Sequence, residues 1–286
     1  MSGVSPFAPF PVSDREFSAF QKLIYEEAGI HLSPVKKALL TGRLSKRVRE
    51  LGLASLGAYH EYVTRSEPDE RVHLLDCITT NETRFFREPR QFAFLEQELA
   101  PAWIAAAEAG RRPRRLRVWS AGCSTGEEPF SVAMVLLGLC PPEHGWEVEI
   151  LATDVSTRAL ARAREASWPI DRAAEIPEPH LRRGMLRGVR SQQGRMCAGS
   201  ELRRVVRFER LNLMEAGPAP GGRFDLVLCR NVLIYFDAAS KQRVIERLLG
   251  KLEPEGHLFL GHAEGLNRTT AGIRPVRPNV YARAGA

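Results

Sequence analysis

Val118-Trp119-Ser120-Ala121-Gly122-Cys123-Ser124-Thr125-Gly126-Glu127-Glu128-Pro129 changes character twice within a dozen residues. It begins inside an apolar strand, Leu116 to Ser120, passes through a run of small residues, and enters an apolar segment of helical length, from about Glu127 to Leu139. Strand, glycine-bearing turn and helix together form the opening unit of an open α/β sheet. The small residues, Gly122 above all, let the backbone approach a ligand, and the helix start offers unpaired N–H groups. The turn lacks the G-x-G-x-x-G spacing of a phosphate cradle, and Glu127 and Glu128 stand where a phosphate would need positive potential. A ligand carrying positive charge suits such a turn better; the plainer alternative is a tight strand-to-helix connection that binds nothing.

Outward from this unit, strands and helices alternate. Val148 to Thr153 reads as a second strand and Thr157 to Ala166 as its helix. Val205 to Phe208 and the near-continuous apolar run Phe224 to Cys229 follow as strands, then a helix over Ser240 to Leu252 and a strand over His257 to Gly261. Apolar runs of this kind are buried on both faces of a parallel sheet, so the pattern predicts a doubly wound α/β fold with right-handed crossovers. Asp154 closes the second strand, where an acid hydrogen-bonds ribose hydroxyls in such folds; its alternative is to cap the next helix, a role Ser156 could share. A nucleoside bearing positive charge answers both features, and S-adenosylmethionine, with its ammonium and sulfonium, is one. Asn212-Leu213 and Arg230-Asn231 follow the ends of two further strands, where ligands bind in open sheets, although Asn212 also suits a turn. Trp168 to Phe208, rich in Arg and Gly, interrupts the alternation and reads as a β-rich insertion.

Before Arg111-Arg112-Pro113-Arg114-Arg115 the pattern is helical throughout. Ser13-Asp14-Arg15-Glu16 is a capping box, Phe17, Phe20, Ile24 and Ala28 keep helical spacing, and Gly29 stops the helix. Ser33-Pro34 opens a second helix with Leu40, Leu44, Val48 and Leu51 on one face, and shorter helices are expected over Ala54 to Arg65 and Asp69 to Ile78. The chain has 286 residues, 44% apolar and 26% charged, enough for a large core and typical of ordered globular proteins. Its longest apolar run, Ser131 to Cys140, falls short of the about 20 residues a bilayer demands, and the start lacks the pattern of a signal peptide. The five cysteines form neither a CxxC pair nor a zinc spacing, so no metal and a reducing cytoplasmic location are expected.

Four stretches together resemble one family: Thr79 to Glu88 (TTNETRFFRE), Trp119 to Ser131, Cys229 to Phe236 (CRNVLIYF) and Gly261 to Glu264 (GHAE). They are similar to the CheR family of bacterial chemotaxis receptor protein-glutamate methyltransferases, in the family's order, over about Asp14 to Ala282. The resemblance implies an N-terminal helical substrate-recognition domain over residues 1–78, a linker and helix over 79–111 that contributes cofactor contacts, and a Rossmann-like methyltransferase domain over 112–286. The insertion, about 168–208, would be a small β-subdomain.

The resemblance also implies the chemistry. The methyl group of S-adenosylmethionine would pass to glutamate carboxylates of a methyl-accepting chemoreceptor, leaving S-adenosylhomocysteine. Asn81, Thr83 and Arg87 would contact the cofactor, Glu128, with Glu127 as a second candidate, its amino-acid end, and Asp154 its ribose. Asn212, Leu213, Arg230 and Asn231 would flank adenine and the methionyl part, and Arg87 and Tyr235 would line the methyl-transfer pocket. Many members have Ser where Ala263 stands here, which leaves that position without a hydroxyl. The expected partner is the receptor's cytoplasmic helical bundle, with its C-terminal tail peptide a further partner for the insertion; the chain would act as a monomer and bind no nucleic acid or membrane.

The net charge of +7 fits an acidic partner as well as it fits nucleic acid. A nucleic-acid amine methyltransferase would usually show a polar-Pro-Pro-aromatic run after its fourth strand, and the prolines are missing from Arg230-Asn231-Val232-Leu233-Ile234-Tyr235. A non-catalytic adaptor is the other alternative. Lys36, Lys37, Arg43, Lys46 and Arg47, with Arg49, precede the first acid of their helix, Glu50, and are expected to face solvent and steer receptor glutamates. The alternative is a solubilising face.

Overall fold

The computed structural model describes residues 9–65, 68–215, 220–266 and 272–283. They divide into two units. The first takes the described residues up to Thr80, together with 212–215 and Tyr235–Lys241; the second takes Asn81–Leu211 and the described remainder.

The first unit is built on α1 (Asp14–Ala28), α2 (Lys37–Glu50), α3 (Leu56–Arg65) and α4 (Pro68–Ile78). Ser13 and Glu16 form the capping box, and Gly29 ends α1 at φ 67°, a left-handed turn. Ser33-Pro34 opens a 3-10 turn, Pro34–Lys36, ahead of α2 rather than α2 itself. Phe17, Phe20 and Ile24 of α1, Leu40, Leu44 and Val48 of α2, and Tyr59 and Val63 of α3 are all buried. Two segments distant in sequence complete the unit. Ile30 pairs with Phe236 in an antiparallel bridge, His31 N–H donates to the Tyr235 carbonyl (2.8 Å), and Tyr25 donates to Asp237 (2.9 Å).

The second unit is a seven-stranded mixed sheet with a three-stranded satellite. Its strands are β1 (Arg115–Ala121), β2 (Glu147–Asp154), β3 (Ser167–Pro169), β4 (Met185–Arg187), β5 (Arg195–Ala198), β6 (Val206–Arg210), β7 (Phe224–Cys229), β8 (Leu252–Leu260), β9 (Ile273–Arg277) and β10 (Val280–Arg283). The main sheet runs β6-β2-β1-β7-β8-β10-β9. From β6 to β8 every pairing is parallel, and β10 and β9 add an antiparallel edge. The chain runs outward from β1 through β2 to β6, then returns to the other side of β1 as β7. That reversal between β1 and β7 is the topological switch point, at whose carboxyl edge open sheets bind ligands.

Helices α5 (Pro89–Phe94) and α6 (Ala100–Glu108) precede β1, α7 (Glu127–Leu139) follows it, and α8 (Thr157–Glu165) follows β2. Val118, Trp119, Leu226, Val227 and Leu228 on the two central strands are all buried, as covering on both faces requires. No helix among the described residues is long and apolar enough to cross a membrane.

The insertion differs from its sequence reading. Its three strands are three or four residues long, and α9 (Glu178–Gly184) and α10 (Ser200–Val205) accompany them. Leu202 of α10 packs close to Gly184 and Met134, and Trp168 stacks edge-on against Phe85 (4.9 Å) and Phe130 (5.4 Å), so its core is shared with α7. It ends at Val205 rather than Phe208, because Val206 to Arg210 pairs with β2 in the main sheet.

Candidate active site

The site residues of the second unit gather where β1, β2 and β7 end. Between β1 and α7 the chain turns sharply, with positive φ at Gly122 (86°), Ser124 (51°) and Gly126 (95°). A Cβ on Gly122 would stand 2.4 Å from Val232 Cγ2, so glycine is what lets the loop after β7 close against this turn.

Asp154 ties the first two loops together. One carboxylate oxygen accepts from Ser124 N–H (2.8 Å) and the other from Ser156 N–H (2.9 Å). Capping α8 falls to Ser156, whose hydroxyl accepts from Ala159 N–H (3.1 Å), so Asp154 is not the N-cap. Asn81 meets the same loops: its carbonyl accepts from the Ser124 hydroxyl (3.0 Å) and its amide reaches the Ser156 hydroxyl (3.4 Å). The Thr83 carbonyl accepts from Arg172 of the insertion (2.8 Å).

Of the two carboxylates at the start of α7, Glu127 is buried and Glu128 half-buried, and both carry arginine partners. Glu128 accepts from Ser120 (2.7 Å) and Arg230 (3.1 Å); Glu127 accepts from Thr125 (2.6 Å) and Arg172 (3.3 Å). Burial raises both carboxyl pKa values above the ordinary range, with Arg230 opposing the shift at Glu128 and the Thr125 hydrogen bond opposing it at Glu127. The negative potential expected of this pair is therefore largely compensated from within the unit, by residues far away in sequence.

Arg230 is the hub. It is buried, pairs with Glu128 and Glu88 (3.5 Å), donates to the Arg87 carbonyl, and lies over the Phe92 ring (5.5 Å). Its Nε is buried with no hydrogen-bond partner among the described residues. Arg87 itself sits between two left-handed residues, Phe86 (φ 49°) and Glu88 (φ 62°), and its guanidinium donates to the Glu82 carbonyl (3.0 Å), with no ion pair among the described residues. Non-glycine residues in that region are uncommon and costly, and such conformations cluster at functional sites.

Asn212, Leu213 and Tyr235 belong to the first unit. The Asn212 oxygen accepts from Met214 N–H (3.0 Å), the local bond of a turn residue, while its amide donates to the Glu27 carbonyl at the end of α1 (2.6 Å). Tyr235 ends a 3-10 turn over Leu233–Tyr235, half-buried, with the Lys36 ammonium 5.3 Å from its ring centre.

The sequence of the basic helix predicts cations facing solvent; in the structure most are engaged. Arg43 donates to the carbonyls of Ile78 (2.5 Å) and Thr79 (3.1 Å), capping the end of α4. Arg47 forms a two-bond pair with Glu70 (2.7 and 3.0 Å), which also accepts from Tyr59 (2.9 Å). Burial alone would raise the Glu70 carboxyl, but these bonds outweigh it and lower its pKa. Lys37 pairs with Asp14 (2.7 Å) and Lys36 covers Tyr235, while Lys46 stays exposed with only a loose contact to Glu50 (3.8 Å). Acids supplied by other helices replace those missing along α2, which a one-helix reading of charge overlooks.

Sequence reasoning also missed Ser120, Glu88, Arg172 and Glu264. Glu88 and Glu264 stand in quoted stretches with no role attached, whereas Arg172 lies in the insertion and follows no spacing rule. An adenosyl ligand is compatible with these residues: a glycine turn that admits backbone, carboxylates at the strand ends, and an arginine nitrogen with no hydrogen-bond partner among the described residues.

The chain is similar to known proteins over both of its units. Residues 15–79 match the family described as CheR methyltransferase, all-alpha domain, and residues 81–281 match CheR methyltransferase, SAM binding domain. The chain is 37% identical to chemotaxis protein methyltransferase 2 of Pseudomonas aeruginosa, over 96% of its own length and 95% of the relative's. It is 36% identical to the chemotaxis protein methyltransferase of Escherichia coli (95% and 91% covered) and 33% identical to that of Borreliella burgdorferi (95% of each). With its all-helical domain followed by a domain that binds S-adenosylmethionine, the chain belongs to the CheR methyltransferase family.

Proposed function

We propose that this protein methylates glutamate side chains of a methyl-accepting chemoreceptor, using S-adenosylmethionine and giving glutamate methyl esters. The observation that carries the reading is the trio Asp154 at the end of β2, Glu128 at the start of α7 and Arg230 just after β7, in a domain matched to S-adenosylmethionine binding. Asp154 would hold the ribose and Glu128 the ammonium, each keeping the protein hydrogen bonds it already makes, since a carboxylate has about four acceptor sites. Asn81, Thr83, Arg87, Gly122, Glu127, Leu213 and Asn231 would complete the cofactor's surroundings. Asn212, its side chain committed to its own turn and to the Glu27 carbonyl, would contribute through its backbone.

When bound, S-adenosylmethionine supplies a sulfonium methyl whose departure leaves a neutral thioether. The acceptor needs no general base, because a glutamate with a pKa of about 4.3 is already ionised at neutral pH. What the chain must supply is alignment, which can lower a barrier by roughly 7–11 kcal/mol. Arg87 and Tyr235 would orient the incoming carboxylate. A single contact from Arg87 serves better than a two-bond clamp, which would occupy the attacking lone pairs. The helical unit would receive the receptor's helical bundle, with Lys46 a basic side chain open to solvent on α2.

The test is incubation with methyl-labelled S-adenosylmethionine and membranes carrying a chemoreceptor, followed by mild alkali. Volatile labelled methanol is expected, since glutamyl methyl esters hydrolyse. Label that stays fixed in protein or nucleic acid would assign a different acceptor, and no incorporation would leave an adaptor.

A further inference from the structure

The turn after β8 carries a carboxylate for which the proposed site has no use. Glu264 is fully buried (0% exposed) and accepts three main-chain hydrogen bonds. One oxygen takes Asn231 N–H and Gly261 N–H (2.7 Å each), and the other takes Ile234 N–H (3.2 Å). Asn231 holds φ at 59°, a left-handed conformation that a non-glycine residue keeps only when its surroundings impose it. The charge-assisted bond from its N–H to Glu264 is such a constraint.

The turn is itself held firmly. Leu260 N–H donates to the Asn279 carbonyl (2.9 Å), the Asn279 amide donates to the His262 carbonyl (2.9 Å), and Leu266 N–H donates to the Tyr281 hydroxyl (2.7 Å). His262 N–H donates to one oxygen of Glu88 (2.9 Å), whose other oxygen faces Arg230. A Cβ on Gly261 would fall 2.5 Å from the Glu264 carboxylate and 2.6 Å from Asn231 N, so the glycine admits the loop and the glutamate fastens it.

From this arrangement we infer that Glu264 is a positioning residue for the cofactor site. By holding the main chain of Asn231 and Ile234, it fixes the loop that aims Arg230 at Glu128 and sets Val232 against Gly122. The inference rests on the reading that Arg230 and Asn231 flank the cofactor.

Two variants test it on the full chain, Glu264→Gln, which keeps the shape but turns an N–H2 toward a donor, and Glu264→Ala. In the ligand-free protein, amide exchange over residues 230–234 should rise about tenfold or more, while β1 and β2 keep their protection. Calorimetric affinity for S-adenosylhomocysteine, well below the melting temperature, should weaken about tenfold in Glu264→Gln and further in Glu264→Ala. If Glu264→Ala does not fold, Glu264→Gln decides alone. A lower melting temperature with wild-type affinity and unchanged exchange over 230–234 would reduce Glu264 to a structural residue and overturn the inference. Arg230→Ala and Asn231→Ala separate the two layers. Weakened binding in either, with Glu264→Gln unaffected, overturns the positioning role only; unchanged binding in both removes the loop from the site and the inference with it.

Discussion

At the scale of single residues the account turns on buried charges with divided duties. Asp154 braces two loops through Ser124 and Ser156, and in the proposed site also meets a ribose. Asp154→Ala should therefore weaken S-adenosylmethionine binding by about 1–3 kcal/mol in calorimetry, the cost of losing a hydrogen-bonding charge. The braced loops should loosen somewhat and lower the melting temperature; a folded variant with unchanged affinity would remove Asp154 from the site. Tyr235→Phe should lower the turnover number with little effect on cofactor affinity. Arg87→Ala should lower both, because Arg87 is assigned to cofactor and acceptor alike. Wild-type turnover in either variant would strike that residue from the transfer step. Asp154 was legible from its place at a strand end. Its bond to Ser124 was not, because it joins residues thirty positions apart through a turn whose shape depends on Gly122 and Gly126.

At the scale of elements, α2 and β8 carry the clearest consequences. Because Arg47 holds the buried Glu70, Arg47→Ala should destabilise the protein by roughly 3 kcal/mol, as removing one partner of a buried ion pair does. Reversing it to Glu would test stability rather than receptor attraction. Lys46→Glu is the cleaner probe: it should slow receptor methylation modestly at low salt, with the loss shrinking as ionic strength rises and cofactor affinity unchanged. Equal rates at low salt would make α2 a merely solubilising face. On β8, burial and the nearby Arg274 hold the His257 imidazole down at about 4. The unfolded chain protonates near 6.5, so stability is lost as pH falls from about 6.5 toward 4. His257→Leu should flatten that part of the melting-temperature profile, and a profile parallel to wild type would contradict the assignment. Helix α7 and strand β7 were legible to the residue, since Gly126 and two acids open the first and Arg223 and Arg230 bracket the second, each around a largely apolar run. The hairpin of β9 and β10 was not, its alternation being broken by arginines and Pro275.

At the scale of the whole molecule, a base-free reaction and a net charge of +7 set the behaviour in solution. The rate of methylation should stay flat with pH from about 6.5 upward, well above the acceptor's pKa, once ester hydrolysis is corrected for. A steep rise near neutrality would reveal a proton acceptor that the mechanism lacks. The central claim is that the methyl group goes to a glutamate carboxylate. Mass spectrometry of receptor peptides, after incubation with S-adenosylmethionine and either wild type or Asp154→Ala, addresses it most directly. A methyl ester localised to glutamate side chains is expected, lost on mild alkaline treatment and much reduced with the variant. Alkali-stable methylation of lysine, asparagine or any other side chain, or glutamates unmodified by wild type, would contradict it.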